Sequence, residues 1–304
     1  MKELDFLKVI NNTLSDSSFL GDDCALLDEY GLYITQDTLV EDVHFSLDTI
    51  SPYLLGQKSI NVNLSDLAAM CATPLYVTVS LSLPDGISGD FIQEFYKGID
   101  NSCAEYGVKV VGGDLTFAPK VFISICAIGR KNPTVKISRS FAKVGDVVLT
   151  TGTHGDSAAG LKLLTENRKE PQYLINKHLK PIAQIRKSQM LLDVAMKTGI
   201  TEFAMMDTSD GLGDAVYKIS KASGVSLEIG ELPVSQELKA QYPDEYKNMA
   251  MWGGEDFELL CCVPQELYDL LDKTEFYKIG IVTNVPLPQT FCEEFESKSF
   301  KHFN

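Results

Sequence analysis

SINVNLSDLAAM, residues 59–70, has the apolar content of a helix built for burial and a carboxylate at its centre. Ser51 and Pro52 ahead of it supply an N-cap and a first-turn proline, so a helix is expected from about 52 to 71. On that helix Ser59, Asn63 and Asp66 fall at i, i+4 and i+7 and form one polar stripe. Ile60, Val62, Leu64, Leu67 and Ala68 occupy much of the remaining circumference. A stripe of this kind ordinarily faces solvent. Whether Asp66 does so depends on what the rest of the chain brings to it.

Working outward, helices near 3–12 and 88–106 and strands near 24–28, 31–36, 74–84, 108–114 and 121–130 share the first half with this helix. A second unit opens after KISRSFAKVGD. Strand DVVLTTG runs into helix DSAAGLKLL, and the polar stretch TENRKEPQ precedes a helix near 182–198. EFAMMD, VSLEIG, FELLCCV and a segment near 275–282 read as strands, and GLGDAVYKIS as a helix. Alternating short strands and helices predict an α/β (α+β) protein of two domains, 1–140 and 141–304. At 304 residues each can bury its own core.

Hydrophobic residues make up 44% and charged residues 23%, as in a globular soluble protein. MKELDFLKVI alternates charge with apolar residues and does not read as a signal peptide, and no run approaches the ~18 apolar residues of a membrane span. Seven cysteines are scattered without a C-x-x-C pair, several within apolar runs. Buried free thiols in a reducing cytoplasm fit this best, and a zinc site is disfavoured. A net charge of −15 argues against nucleic acid or an anionic membrane as partner. A phosphorylated ligand would need cations as intermediaries.

Six acidic motifs share one grammar, an apolar strand or helix followed by Asp beside Gly, Ser or Thr. They are GDDCALL (21–27), TQDTLVEDVHF (35–45), NLSDLAAM (63–70), VVGGDLTF (110–117), MMDTSDGLGD (205–214) and GGEDFELL (253–260). Singly, such aspartates cap helices or make turns. Their recurrence beside glycine turns, where backbone can approach a ligand, points further. Several carboxylates converging on one site repel unless cations lie between them, and oxygen-only donors suit Mg²⁺. The EF-hand spacing is absent, as are the Walker-A pattern and G-x-S-x-G. GTHGDSAAG (152–160) feeds a helix whose N-terminus suits an anion, although close helix–strand packing explains its glycines equally well. Arg139 is a candidate phosphate contact or a surface arginine. Of His44, His154, His178 and His302, only His44 keeps company with these acidic residues, and none pairs with a nucleophile. Phosphoryl transfer needs no protein nucleophile, only positioning and charge neutralisation.

Taken together, NLSDLAAM, GTHGDSAAGL, DTSDGL and GGEDFELL, in this order, resemble the thiamine-monophosphate kinases of the aminoimidazole ribonucleotide synthetase-like superfamily. The likeness runs from GDDCALL to the terminal KHF. It implies an N-terminal mixed sheet with helices that dimerises into a barrel and a C-terminal α/β sandwich. It also implies transfer of the γ-phosphoryl group of ATP to thiamine monophosphate with several Mg²⁺ ions, in a homodimer whose site lies between domains near the dimer interface. By the same resemblance Asp23, Asp37, Asp66 and Asp207 are metal ligands. Asp114 and Asp210 hold further Mg²⁺, and Thr35 adds an oxygen. Gly113, Asp114, Arg139, Ser209 and Tyr96 fall at ATP positions, and His44 and Glu255 near the thiamine moiety. The FKHF tail matches a segment that supplies an aromatic wall, assigned here to Phe300. Two positions depart from the family. Gln36 replaces a metal-coordinating threonine, and Leu115 removes a hydroxyl beside Asp114. Neither costs a carboxylate.

The rival readings are another ATP-using member of the superfamily and a non-catalytic thiamine-phosphate sensor. GDDCALL lacks the lysine expected of a selenophosphate synthetase, and HFN lacks the terminal cysteine of the hydrogenase-maturation relative. A sensor has no need of six intact aspartates.

Overall fold

The structure, a computed structural model, describes residues 3–302. Its first half runs α1 (Glu3–Thr13), β1 (Ala25–Leu27), β2 (Leu32–Val40), α2 (Pro52–Ala69), β3 (Thr73–Leu83), α3 (Gly89–Tyr106), β4 (Lys109–Phe117) and β5 (Phe122–Arg130). The strands form one sheet in the order β1-β2-β5-β3-β4. Only β3 and β4 pair in parallel, with α3 as the crossover between them. One face of this sheet packs on α2 and the other is left open, so β5 alternates between buried and half-buried residues along its length.

In the second half β6 (Lys136–Ile137), β7 (Val147–Thr150), α4 (Asp156–Thr165), α5 (Gln172–Leu179), α6 (Ile185–Thr198), β8 (Glu202–Asp207), α7 (Leu212–Ser223) and β9 (Ser226–Ile229) come first. α8 (Gln236–Gln241), α9 (Tyr246–Trp252), β10 (Leu259–Val263), α10 (Gln265–Asp269), β11 (Tyr277–Thr283) and α11 (Gln289–Lys298) complete it. The second sheet runs β6-β8-β10-β7-β11-β9. Both its faces are covered, which is why LLCCV and VVLT are apolar runs rather than alternating ones. No helix among the described residues is long and apolar enough to cross a membrane.

The helix of the opening stretch lies between the two sheets. Ser51 caps it, its side chain accepting the Leu54 N–H at 3.3 Å. Leu67, Ala68 and Cys71 join one core with Ile123 and Ile125 of the first sheet and Met205 and Cys261 of the second. Fourteen of its 18 residues are therefore buried, polar ones included, and it has no solvent face for a stripe. Against α3 it packs through glycines. A Cβ on Gly56 would stand 2.1 Å from the Phe95 carbonyl, and one on Gly98 2.0 Å from that of Tyr53. All seven thiols are free, but Cys126 and Cys292 are only half-buried; Cys126 lies on the open sheet face.

Candidate active site

Asp23 precedes β1, Asp66 lies in the last turn of α2, and Asp207 ends β8. These three elements meet so that carboxylate oxygens of the three residues all lie within 4.8 Å of one another. Each is held by a neighbour. Thr35 Oγ1 donates to Asp66 Oδ2 at 2.5 Å, Ser65 Oγ to Asp207 Oδ2 at 2.7 Å, and Ser209 Oγ to Asp207 Oδ1 at 3.0 Å. Arg139 grips Asp23 through Nη2 at 2.8 Å and Nε at 3.3 Å, a bidentate pair that fixes both side chains. The arginine is thus held against the carboxylate cluster and is not a free surface residue.

The polar stripe of α2 now has its partners. Ser59 and Asn63 are buried, and Asn63 Oδ1 accepts the backbone N–H of Asp37 at 2.9 Å. That bond ties β2 to α2 where Asp37 turns toward the cluster. Burial, then the charges of Asp210 and Asp23, push the Asp37 carboxyl up to about 6. Burial and Asp23 take Asp207 up to about 7, and burial with Asp37, Asp207 and Asp23 raises Asp66 well above the usual range. The crowding is electrostatically unfavourable as it stands, and an all-oxygen donor set of this kind fits a hard divalent cation.

Beyond the cluster a cleft of about 1130 Å³ opens between the domains, lined by Asp37, Asp66, Ser209 and Asp210 at one end. This exceeds the ~300–1,000 Å³ of a single small-ligand pocket, so there is room for two ligands. His44, Trp252, Glu255, Phe257, Phe300 and His302 also line the cleft, Glu255 being tied to Ser209 by a backbone hydrogen bond of 2.6 Å. His44 Nδ1 accepts the Val40 N–H at 3.0 Å, and its ring lies 5.2 Å from that of His302, which meets Phe300 edge-on at 4.8 Å. Phe300 lines the cleft, while Phe303 of the same tail lies outside the described residues. His178 also lines the cleft, so His44 is not alone among the histidines there.

Other buried or ion-paired side chains escaped the sequence reading. Lys58 is fully buried and pairs with Glu255 at 3.1 Å, yet in sequence it looks like any mid-helix lysine. Lys218 bridges Asp210 at 3.0 Å and Asp214 at 2.7 Å, a pair visible only as i, i+4 spacing on α7. Asp256 settles the GTHGDSAAG question. Its carboxylate accepts the N–H groups of Gly155 at 2.6 Å and Ser157 at 3.0 Å, so the N-terminus of α4 is filled from within the chain and is not an anion cradle.

Gly113, Asp114 and Tyr96 do not come to this cluster within the chain. Thr38, Ser124, Ser80 and Asp114 form one row across the first sheet. Asp114 is therefore three strands, about 14 Å along the sheet, from Thr38, and on the opposite face from Asp37. Gly113 packs on β3 so closely that a Cβ would stand 1.9 Å from the Val79 carbonyl oxygen. Tyr96 is exposed on α3, edge-on to Phe95, and does not line the cleft.

The carboxylates predict how the cation-free protein responds to pH. A buried acid whose pKa is raised on folding contributes stability below its unfolded value near 3.9, and this is lost as pH rises through the folded value. Asp37, Asp207 and Asp256, the last pushed up by burial to about 7, work in that sense. His154 and His178 work oppositely, since burial lowers them to about 3 and about 4, so they lose stability as pH falls below about 6.5. Between about pH 6.5 and 8 the histidine contribution is ending, while Asp207 and Asp256, at about 7, still lose protons in the folded protein. In chelator the melting temperature is expected to fall across that window, and Mg²⁺ should remove the part due to Asp37 and Asp207 but not that of Asp256. A melting temperature that rises over the same window in chelator would contradict the cluster's electrostatics.

Residues 21–131 match the N-terminal domain, and residues 143–292 the C-terminal domain, of AIR synthase related proteins. Solved HypE structures, 20–21% identical with TM-scores of 0.66–0.73, share this fold. Within the class the likeness narrows. The thiamine-monophosphate kinase of Synechococcus elongatus is 38% identical over 299 residues, covering 93% of this chain and 91% of the relative. That of Aquifex aeolicus is 36% identical over 314 residues, covering 99% and 98%. The structure of AaThiL complexed with AMPPCP and TMP superposes with a TM-score of 0.86 at 32% identity, over 99% of this chain and 97% of that one. The chain belongs to the thiamine-monophosphate kinase family.

Proposed function

We propose that this protein transfers the γ-phosphoryl group of ATP directly to the phosphate of thiamine monophosphate, giving thiamine diphosphate and ADP, with Mg²⁺ held by Asp23, Asp66, Asp207, Asp37 and Asp210. The observation that carries the reading is the triad of converging carboxylates at one end of a cleft roomy enough for two ligands. The complex of AaThiL with AMPPCP and TMP supports this pair of ligands. Bound at the cluster, Mg²⁺ would neutralise phosphate oxygens of both anions and the charge developing between them, which a chain of net charge −15 has few other means to do.

The chain's own residues supply position. Arg139 adds a fixed guanidinium beside Asp23, and Thr35, Ser65 and Ser209 lock the carboxylates they donate to. Asn63 sets the backbone of Asp37. Cys24, the thiol nearest the cluster, is buried, and burial followed by Asp66, Asp23 and Asp207 raises it well above the thiol range, so it is no nucleophile. The aromatic end of the cleft, with Glu255, suits the organic part of the acceptor.

The reading includes a homodimer formed through the first sheets. β4 is exposed along its whole length, with Leu115 and Phe117 about 70% and 68% accessible, and the sheet beside it has an uncovered face. A long apolar edge strand of this kind is a template for pairing. In such a dimer Gly113, Asp114 and Tyr96 serve the partner's cleft rather than their own.

Incubation of the purified protein with ATP, Mg²⁺ and thiamine monophosphate, followed by chromatography, tests the assignment. Equal amounts of thiamine diphosphate and ADP are expected, with no phosphoprotein after acid quench. Absence of thiamine diphosphate would remove the substrate assignment, and a trapped phosphoenzyme would remove direct transfer.

A further inference from the structure

Lys58 sits on α2 eight residues ahead of Asp66 and is 1% exposed. An ammonium carries three N–H donors, and three oxygens surround this one. They are Glu255 Oε2 at 3.1 Å, the His178 carbonyl at 3.4 Å and the His44 carbonyl at 3.5 Å. The three acceptors come from separate walls of the cleft: the loop after β2, the end of α5 and the GGED loop. Packing alone does not call for a lysine here, because an apolar side chain of similar volume would fill the space without the cost of desolvating a charge. What the lysine adds is a counter-charge fixed beside Glu255.

Glu255 is set by more than that one contact. Its backbone is left-handed, at φ +67°, unusual for a residue with a Cβ, and its N–H donates to the Ser209 carbonyl at 2.6 Å. Burial works against its charge, but Lys58 outweighs it and holds the carboxyl below the usual range. His178 is itself neutral at physiological pH, so the ammonium is the cation in the pair. Oε2 is engaged by Lys58, with His178 Nδ1 at 3.1 Å. Oε1 has no hydrogen-bond partner among the described residues, in a side chain that lines the cleft next to Trp252, Phe257 and Phe300.

The acceptor proposed above carries a thiazolium ring with a permanent positive charge. Resting on that reading, we propose that Lys58 is a positioning residue that fixes the Glu255 carboxylate as the counter-charge for this ring. The acceptor's phosphate then lies toward the aspartate cluster and its cationic ring toward Glu255. The pair also sets specificity, because a neutral ring of the same shape leaves Oε1 of an ionised carboxylate facing it without a partner.

The test compares wild type, Lys58→Met, Glu255→Gln and the double variant by calorimetry with AMPPCP and Mg²⁺ present. The two titrants are thiamine monophosphate and its thiophene analogue, in which carbon replaces the charged ring nitrogen. Wild type is expected to favour the charged ring by about tenfold or more, and each single variant to lose that preference. The double variant should bind no worse than Glu255→Gln, because Lys58 acts through Glu255. AMPPCP affinity should change by less than about twofold in all three variants, which a merely structural role would not produce. Wild-type preference retained in Lys58→Met, or losses that add in the double variant, would overturn the proposal. If Lys58→Met does not fold, the double variant has no uncompensated charge and is read against Glu255→Gln alone. Equal affinities then support the proposal, and a further loss overturns it. A wild type that binds no thiamine monophosphate refutes the substrate reading, whereas one that binds both rings equally refutes only the counter-charge.

Discussion

Replacing Asp66 by asparagine is expected to lower turnover by roughly 10²-fold or more while raising the melting temperature of the cation-free protein. The two effects have one cause. Asp66 is raised well above the carboxylate range by burial and by Asp37, Asp207 and Asp23, so in the absence of a cation its charge is opposed from three sides. An asparagine keeps the shape. Its oxygen accepts from Thr35, as Asp66 Oδ2 does now at 2.5 Å, and its amide N–H groups face carboxylates that want donors. Repulsion becomes hydrogen bonding, and the fold gains. With Mg²⁺ present the order reverses, because the wild type has three converging carboxylates and the variant two. Melting curves in chelator and in Mg²⁺, run beside turnover, separate these effects. If the variant unfolds where cation-free wild type is folded, Asp66 is a structural residue and the cluster has another purpose.

Asp66 also shows how far a sequence carries. The helix was legible from Ser51-Pro52 and its apolar periodicity, and the aspartate was conspicuous because it broke that periodicity. Its half-buried place at the cleft was not legible, since it depends on β2 approaching from one domain and β8 from the other. Asp66 and Asp207 stood out as candidate metal ligands because each closes a helix or a strand beside a turn, and Asp23 because it precedes a strand just after a glycine. Lys58 could not, because nothing local distinguishes a lysine that meets Glu255, 197 residues away, from one in water. Asp256 was obscured for the same reason, its work being the cap of a helix 99–101 residues upstream. The short helices α5 and α8–α11 lack enough turns for a periodic signal to stand out. Strand order is the most distant property of all. GGD and QDT look equivalent as motifs, and only the β2-β5-β3-β4 order separates them.

That separation leads to the second large effect. Asp114→Asn is expected to reduce turnover by roughly 10²-fold or more, although Asp114 lies three strands from Thr38 and is exposed on its own protomer. An exposed surface change with so large an effect requires that another molecule supply the rest of the site. Mixing Asp66→Asn with Asp114→Asn decides the matter. If each cleft uses its own Asp66 and the partner's Asp114, a mixed dimer has one cleft with both aspartates and one with neither. Random re-association makes half the dimers mixed, each with one working cleft of two, so roughly a quarter of wild-type turnover should return. If each cleft uses its own Asp114, every cleft in every combination carries one defect and nothing returns. Leu115→Glu with Phe117→Glu gives the complementary measurement. Both side chains are mostly exposed in the protomer, so the fold should tolerate the charges to within about 0.5 kcal/mol. At a paired edge the charges repel, and the particle should shrink from twice 33.5 kDa to 33.5 kDa in light scattering with turnover lost. A fully active monomer would show that one chain completes its own cleft, and Asp114 would then be a residue of an open sheet and nothing more.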